Sequence, residues 1–276
     1  MEHLFDVWPV VWDRISRASH LLLLTDYDGT LTPIVPHPKL AHLSGVMRAL
    51  LQEISRHTRI TAGVISGRSL DDLKALVEVT GILYAGNHGL ELETSSLRFV
   101  HPLAKDLKPL IVELQRKLEK DLASFQGVLV ENKGFTLSVH YRRVATLEAR
   151  NVRQIVVDTC HQPQFQDWIC LRRGKKIYDL LPSITWDKGQ VVSFLIDHPA
   201  SWGGHSNGLL TLYLGDDLTD EHAFIATQAS GGIAVFVGRK ERKSTARYYL
   251  SSPREVEALL RHLASQAVTD GQITFD

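Results

Sequence analysis

The sequence is poor in cysteine, in net charge and in long apolar runs. Only Cys160 and Cys170 occur in 276 residues, ten positions apart and with no CxxC. That spacing argues against a disulfide framework and against a thiolate zinc site. Two buried free thiols in a reducing compartment are expected. Lys plus Arg and Asp plus Glu both number 31, so the formal charge is zero. A general binder of nucleic acid or of anionic membranes needs a basic surplus. The longest early apolar run, Leu21–Leu24, falls far short of the roughly 20 residues of a membrane span or the core of a signal peptide. A soluble, cytoplasmic chain with neither nucleic-acid nor membrane partners is expected. No repeat or low-complexity segment is present. Hydrophobic residues nevertheless make up 44% of the chain, enough for a sizeable core. The length suits one large domain or two small ones, at about 100–200 residues each.

Strand-like and helix-like stretches alternate along both ends of the chain. Leu21–Thr25 is a continuous apolar run ending in a carboxylate-rich turn, as in a parallel strand buried on both faces. Leu43, Val46, Met47, Leu50 and Ile54 repeat at helical spacing, and Ile60–Ile65 and Ile82–Ala85 read as further strands. Ser69 followed by Asp72 marks a helix start. After position 185 the habit recurs, with strands at Leu209–Leu214 and Ile233–Val237 and helices around Asp220–Thr227 and Val256–Leu263. Such alternation predicts a doubly wound parallel sheet. The middle differs. Leu90–Leu92 with Leu97–Val100, and Val128–Val130 with Phe135–Tyr141, suggest paired strands. Helices are predicted from Leu107 and over Ala145–Cys160, and further strands at Phe165–Leu171 and Lys176–Leu181. This is an α+β pattern inserted in an α/β chain: a cap over 106–184, with a core formed by 1–105 and 185–276. Pro199–Gly208 reads as a surface loop.

Four constellations carry chemistry. Asp26-Tyr27-Asp28-Gly29-Thr30 directly follows the first buried run, and open α/β sheets place their sites at the carboxyl ends of strands. Two carboxylates there can share a proton or a divalent cation; a plain Asp-rich turn is the other reading. Ser66-Gly67-Arg68 offers a hydroxyl and free N–H groups at a helix start, an anion site or an ordinary helix cap. Trp186-Asp187-Lys188-Gly189 puts a lysine at another helix start, solvated or able to neutralise a phosphoryl group. Asp216, Asp217, Asp220 and Glu221 place four acids within six residues. Capping explains the last two better than the first two, and magnesium suits the set.

Taken in order, DYDGT, SGR, DKG and GDDLTDE over residues 26–221 resemble the haloacid-dehalogenase superfamily of phosphohydrolases. The resemblance implies a HAD-like Rossmannoid parallel-sheet core with an inserted cap. It casts Asp26 as nucleophile and Asp28 as general acid and base, with Ser66 and Lys188 on the phosphoryl oxygens. Mg²⁺ would be held by Asp26, the backbone oxygen of Asp28, and Asp216, with Asp217 and Asp220 in support. More narrowly, DYDGTLTPI (Asp26–Ile34), ISGRS (Ile65–Ser69), GNHGLE (Gly86–Glu91), KGFTLSVHYR (Lys133–Arg142) and GKK…P…DKG (Gly174–Gly189) resemble the trehalose-6-phosphate phosphatases. That likeness implies a phosphorylated disaccharide as substrate and a functional link to a trehalose-phosphate synthase. Its implied substrate contacts are Gly67, Arg68, Asn87, His88 and Glu91 from the core and Lys133, Ser138, His140, Arg142 and Asp179 from the cap. One departure stands out. The family's Glu-x-Arg-Pro is here Asp179-Leu180-Leu181-Pro182, which keeps the carboxylate and loses the guanidinium. Glucosylglycerol phosphate and sucrose phosphate stay open as substrates. So do a phosphomutase and a non-catalytic sugar-phosphate binding module.

Overall fold

The computed structural model describes all residues except 36, 38, 39, 175, 205, 206 and 271–276, and only the backbone of 266–270. The chain divides into two compact units, one formed by Met1–Phe99 with Trp186–Asp276 and the other by Val100–Thr185. In chain order the first part runs β1 (Glu2–His3), α1 (Trp8–Arg17), β2 (His20–Thr25), α2 (Gly45–Ile54), β3 (Ile60–Ile65), α3 (Leu70–Val77), β4 (Leu83–Gly86), β5 (Glu91–Glu93) and β6 (Arg98–Val100). The middle holds α4 (Pro102–Asp106), α5 (Lys108–Asp121), β7 (Leu129–Asn132), β8 (Leu137–His140), α6 (Ala149–Cys160), β9 (Ile169–Arg173) and β10 (Ile177–Pro182). The return carries α7 (Lys188–Asp197), β11 (Leu209–Gly215), α8 (Glu221–Ala229), β12 (Ile233–Val237), β13 (Tyr248–Leu250) and α9 (Pro253–Asp270).

The large sheet has the order β1-β13-β12-β11-β2-β3-β4-β5-β6. It is parallel from β1 to β4, and β5 runs antiparallel to β4. The apolar run of β2 explains its central place. Leu21 and Leu23 enter a core with Val11 and Ile15 of α1, Leu51 and Ile54 of α2 and Leu260 of α9. Leu22 and Leu24 enter the opposite core, with Val191 and Leu195 of α7 and Phe224 of α8. A strand apolar at every position is stable only where both faces are covered. Helix starts follow the local signals: Ser44 accepts from the Met47 N–H at 3.1 Å and Ser69 from the Asp72 N–H at 3.3 Å.

The second unit is an antiparallel sheet of order β7-β8-β10-β9. Leu137, Val139, Tyr178 and Leu180 pack with Ile111, Leu114 and Leu118 of α5 and Val152 and Val156 of α6. The alternate residues Ser138, His140 and Asp179 occupy the other face, where Ser138 pairs with Asp179 across the strands.

Several expectations change. α1 and β13 are elements beyond those expected. Strand β9 begins only at Ile169, because Phe165–Trp168 close turns instead: Phe165 N–H donates to Gln162 and Trp168 N–H to Phe165. The described part of Pro199–Gly208 is not simply a surface loop. Trp202 is buried and its indole N–H donates to the Leu195 carbonyl at 2.8 Å; positions 205 and 206 of that segment lie outside the described residues. Of the two thiols expected to be buried, only Cys160 is; Cys170 on β9 is exposed. Among the described residues no helix is long and apolar enough to cross a membrane.

Gly86 ends β4 where α3 begins, and a Cβ there would stand 2.4 Å from the Leu70 backbone nitrogen. Backbone cannot yield as a side-chain tip can. Gly86→Ala should therefore destabilise the protein by about 2 kcal/mol in chemical denaturation.

Candidate active site

Four neighbouring parallel strands, β11, β2, β3 and β4, end on one side of the sheet, and the DYDGT, SGR, GNHGLE and GDDLTDE motifs sit at those ends. Asp26 follows β2; its N–H donates to the Leu214 carbonyl of β11 at 2.8 Å, and it is buried. Gly29 has φ +93°, and a Cβ on it would stand 2.2 Å from Asp216 Oδ2. Only a glycine lets this turn lie against the Asp216 carboxylate. Lys188 opens α7. Its start is fixed by Asp187, whose Oδ1 accepts from the Gly189 and Gln190 N–H groups at 2.8 and 3.2 Å. The other oxygen of Asp187 pairs with His222 Nδ1 on α8 at 2.5 Å.

The buried Lys188 ammonium donates to Asp26 Oδ1 at 2.6 Å and to Asp220 Oδ1 at 2.7 Å. Asp220, fully buried, is saturated. Oδ1 also accepts from the Tyr213 hydroxyl at 2.8 Å, and Oδ2 from the N–H groups of Asp216 and Asp217 at 3.1 and 3.0 Å. Burial works against the Lys188 charge, but Asp220 and Asp26 outweigh it and hold Lys188 above its ordinary value. Burial pushes Asp26 up to about 7, with Lys188 opposing and Asp220 and Asp28 assisting. Burial, then Asp26 and Asp220, push Asp216 up to about 9.

Oxygens of Asp26, Asp216 and Asp220 lie within 4.8 Å of one another. One ammonium cannot balance three buried carboxylates, and the saturated Asp220 leaves Asp26 and Asp216 with oxygens to spare. Hard oxygen donors in a buried cluster that favours protonated carboxyls for want of positive charge fit a divalent cation such as Mg²⁺, which would stabilise their ionised forms. Asp217 stands outside this cluster, its carboxylate on Arg242 at 2.7 Å.

The neighbouring residues interlock. Arg68 grips both oxygens of Asp28, Nε to Oδ2 at 2.7 Å and Nη2 to Oδ1 at 2.8 Å, and reaches Asp72 at 2.8 Å through Nη1. Burial opposes its charge, but Asp28 and then Asp72 hold Arg68 above its usual value. Ser66 is buried, and its hydroxyl accepts from the Arg68 N–H at 3.2 Å. Gly67 lets the His88 ring lie against this turn, since a Cβ would stand 2.5 Å from it. Asn87 and His88 both have positive φ, 49° and 59°, and fold back on this turn. Their N–H groups donate to the Arg68 and Ser66 carbonyls at 2.6 and 2.9 Å. Glu91 accepts from Asn87 Nδ2 at 2.6 Å and from the Leu70 N–H at 3.3 Å. GNHGLE thus buttresses the SGR turn.

In the smaller unit Asp179 accepts from the Ser138 hydroxyl and pairs with Lys133 at 3.6 Å, and His140 pairs with Glu131 at 2.8 Å. Arg142 is exposed just after β8, and Leu181 is buried opposite Cys170. Lys175 of the GKK segment lies outside the described residues. Sequence reasoning missed Tyr213, Asp72 and Arg242. A tyrosine inside a buried, mostly apolar strand was the available signal for Tyr213, since a buried hydroxyl needs a partner. Arg242, in a charged stretch 25 residues beyond Asp217, gave none.

A doubly wound sheet with acids at the end of its central strand, a serine at the next strand end and a lysine at a helix start defines a haloacid-dehalogenase-like fold. The chain belongs, within that class, to the trehalose-phosphatase family, whose model matches residues 24–254. It is similar to trehalose-phosphate phosphatase B of Arabidopsis thaliana, with 31% identity over 90% of this chain and 67% of the relative. It is also similar to trehalose 6-phosphate phosphatase RA3 of Zea mays, with 32% identity over 91% and 72%. The C-terminal domain of C. albicans trehalose-6-phosphate phosphatase shares the fold, with a TM-score of 0.78 and 24% identity over 94% of this chain and 97% of that one.

Asp26 and Asp216 take up protons on folding, because their folded values lie above 3.8. Without metal, stability should fall as pH rises from about 4 toward their folded values. Asp216→Asn should raise the metal-free stability at pH 8 by on the order of 2 kcal/mol, with the gain shrinking toward pH 5. Denaturant titrations in chelator across that range measure it.

Proposed function

We propose that the chain hydrolyses trehalose 6-phosphate to trehalose and phosphate through an aspartyl-phosphate on Asp26. The observation that supports this most is the buried Asp26 tethered through Oδ1 to Lys188, in a member of the trehalose-phosphatase family. Oδ2 of Asp26 attacks phosphorus, and the bond from phosphorus to the sugar oxygen breaks. Asp28 gives a proton to the departing oxygen, which requires it to be protonated first and to release one of the two contacts its oxygens accept from Arg68. In the second half Asp28 takes a proton from water, whose oxygen attacks phosphorus; phosphate leaves and the Asp26 carboxylate is restored. Arg68, bound to both oxygens of Asp28, sets where that carboxyl stands, and Ser66 and Lys188 hold phosphoryl oxygens. Asp26 and Asp216, with the backbone oxygen of Asp28, would hold Mg²⁺, and Asp220 orients the set. Bound Mg²⁺ supplies the charge neutralisation that lets a carboxylate approach a phosphate dianion. The smaller unit is the substrate cap, with its polar face, Lys133, Ser138, His140 and Asp179 together with Arg142, as the sugar-binding part. A cytoplasmic location and a functional link to a trehalose-phosphate synthase belong to the same reading.

The test is Mg²⁺-dependent phosphate release from trehalose 6-phosphate, sucrose phosphate and glucosylglycerol phosphate, read as kcat/KM. The highest value is expected for trehalose 6-phosphate, and a clear preference for another substrate would overturn the assignment. Asp26→Asn should lower kcat by at least about 10⁴-fold while leaving the unfolding midpoint near wild type. Turnover near wild type, with deamidation excluded, removes Asp26 as nucleophile. Absence of any release by the wild type favours the binding module.

A further inference from the structure

The segment after β12 is tied to the acidic motif. Thr245 donates through both its N–H and its hydroxyl to Glu221 Oε2, each at 2.7 Å. Arg242 Nη1 donates to the Asp216 carbonyl at 2.8 Å, and Nη2 to Asp217 Oδ1 at 2.7 Å. The guanidinium lies over the Phe236 ring, 5.4 Å from its centroid, so β12 holds the fork in place.

These bonds constrain two consecutive aspartates in opposite ways. The Asp216 N–H is held by Asp220 Oδ2 at 3.1 Å and its carbonyl by Arg242. With both ends of the residue held, its carboxylate lies against Gly29 and within the cluster of Asp26 and Asp220. The Asp217 carboxylate is caught by the second arm of the same guanidinium, and 56% of that side chain is exposed. An arginine suits this task because its planar fork can serve a carbonyl and a carboxylate at once, which an ammonium on a flexible stem does poorly.

We infer that Arg242 is a positioning residue: it sorts Asp216 into the metal cluster and keeps Asp217 out of it. The inference rests on the proposed divalent site. Outer groups that orient a metal's ligands typically change its affinity about 10–100-fold when removed. The direction of the effect separates positioning from simple charge. Deleting a cation beside a cation site should by Coulomb's law tighten metal binding; loss of positioning should weaken it.

The experiment is calorimetric titration of Mg²⁺ into wild type, Arg242→Gln and Arg242→Lys, with thermal midpoints measured in chelator. Wild type is expected to bind one Mg²⁺ and Arg242→Gln to bind it about tenfold more weakly. Arg242→Lys, which keeps the charge and loses the fork, should resemble Arg242→Gln, and it decides the matter if Arg242→Gln does not fold. Equal or tighter binding by the variants, or a lowered midpoint with unchanged Mg²⁺ affinity, overturns the role of Arg242 alone. No Mg²⁺ binding by the wild type overturns the metal site itself, and the inference with it.

Discussion

The active-site end of the larger unit depends on one buried ammonium. Lys188 joins Asp26, which follows the central strand, to Asp220, which precedes α8. Burying one such charge without partners is prohibitive, and removing one member of a buried pair is typically worse than replacing the whole. Lys188 is the shared member: losing it strands both carboxylates, whereas losing the charge of Asp26 still leaves it paired with Asp220. Through Asp220 the same contact reaches Tyr213 and the Asp216 and Asp217 N–H groups. A single charge thus orders the ends of two neighbouring strands and the start of two helices.

That neutralisation is incomplete, and the shortfall has chemical meaning. Asp220 is fully engaged, whereas Asp26 and Asp216 keep oxygens available and are pushed upward, first by burial and further by neighbouring carboxylates. The proposed transfer of a phosphate dianion onto a carboxylate would need such a place for a divalent cation. The second ring of contacts is saturated in the same manner. Arg68 locks Asp28, the GNHGLE turn locks the SGR turn, and Arg242 holds the motif's outer side. Rigid supports of this kind keep reacting groups in place without reorganisation during the reaction.

Much of the fold was legible because its signals are local. A continuous apolar run is a two-sided strand, and a serine with an aspartate three residues on marks a helix start; β2 and the start of α3 appear where those patterns stand, and β3 spans the expected Ile60–Ile65. Trp202 and Cys170 were misread because burial depends on what packs across from a residue, not on its neighbours in sequence. α1 buries Val11 and Ile15, with Trp8 and Trp12 packed against the same core, so its apolar face at helical spacing was present in the sequence although it precedes the first clear motif.

The same division runs through the site. Asp26, Asp28, Ser66, Lys188 and Asp216 stood out as candidates at expected strand ends and helix starts, since a residue's type and its place beside an element are written along the chain; the motif resemblance supplied their roles. What each carboxylate does was decided by folding. Asp216 and Asp217 are adjacent and chemically identical, yet one joins the cluster and the other meets Arg242. Asp28 is bound by a guanidinium forty residues away, and Asp220 by a lysine thirty-two residues away. The chain by itself determines which groups are present. Their partners, burial and protonation depend on distances across the fold, because Coulomb and desolvation energies depend on separation in space and are blind to separation in sequence.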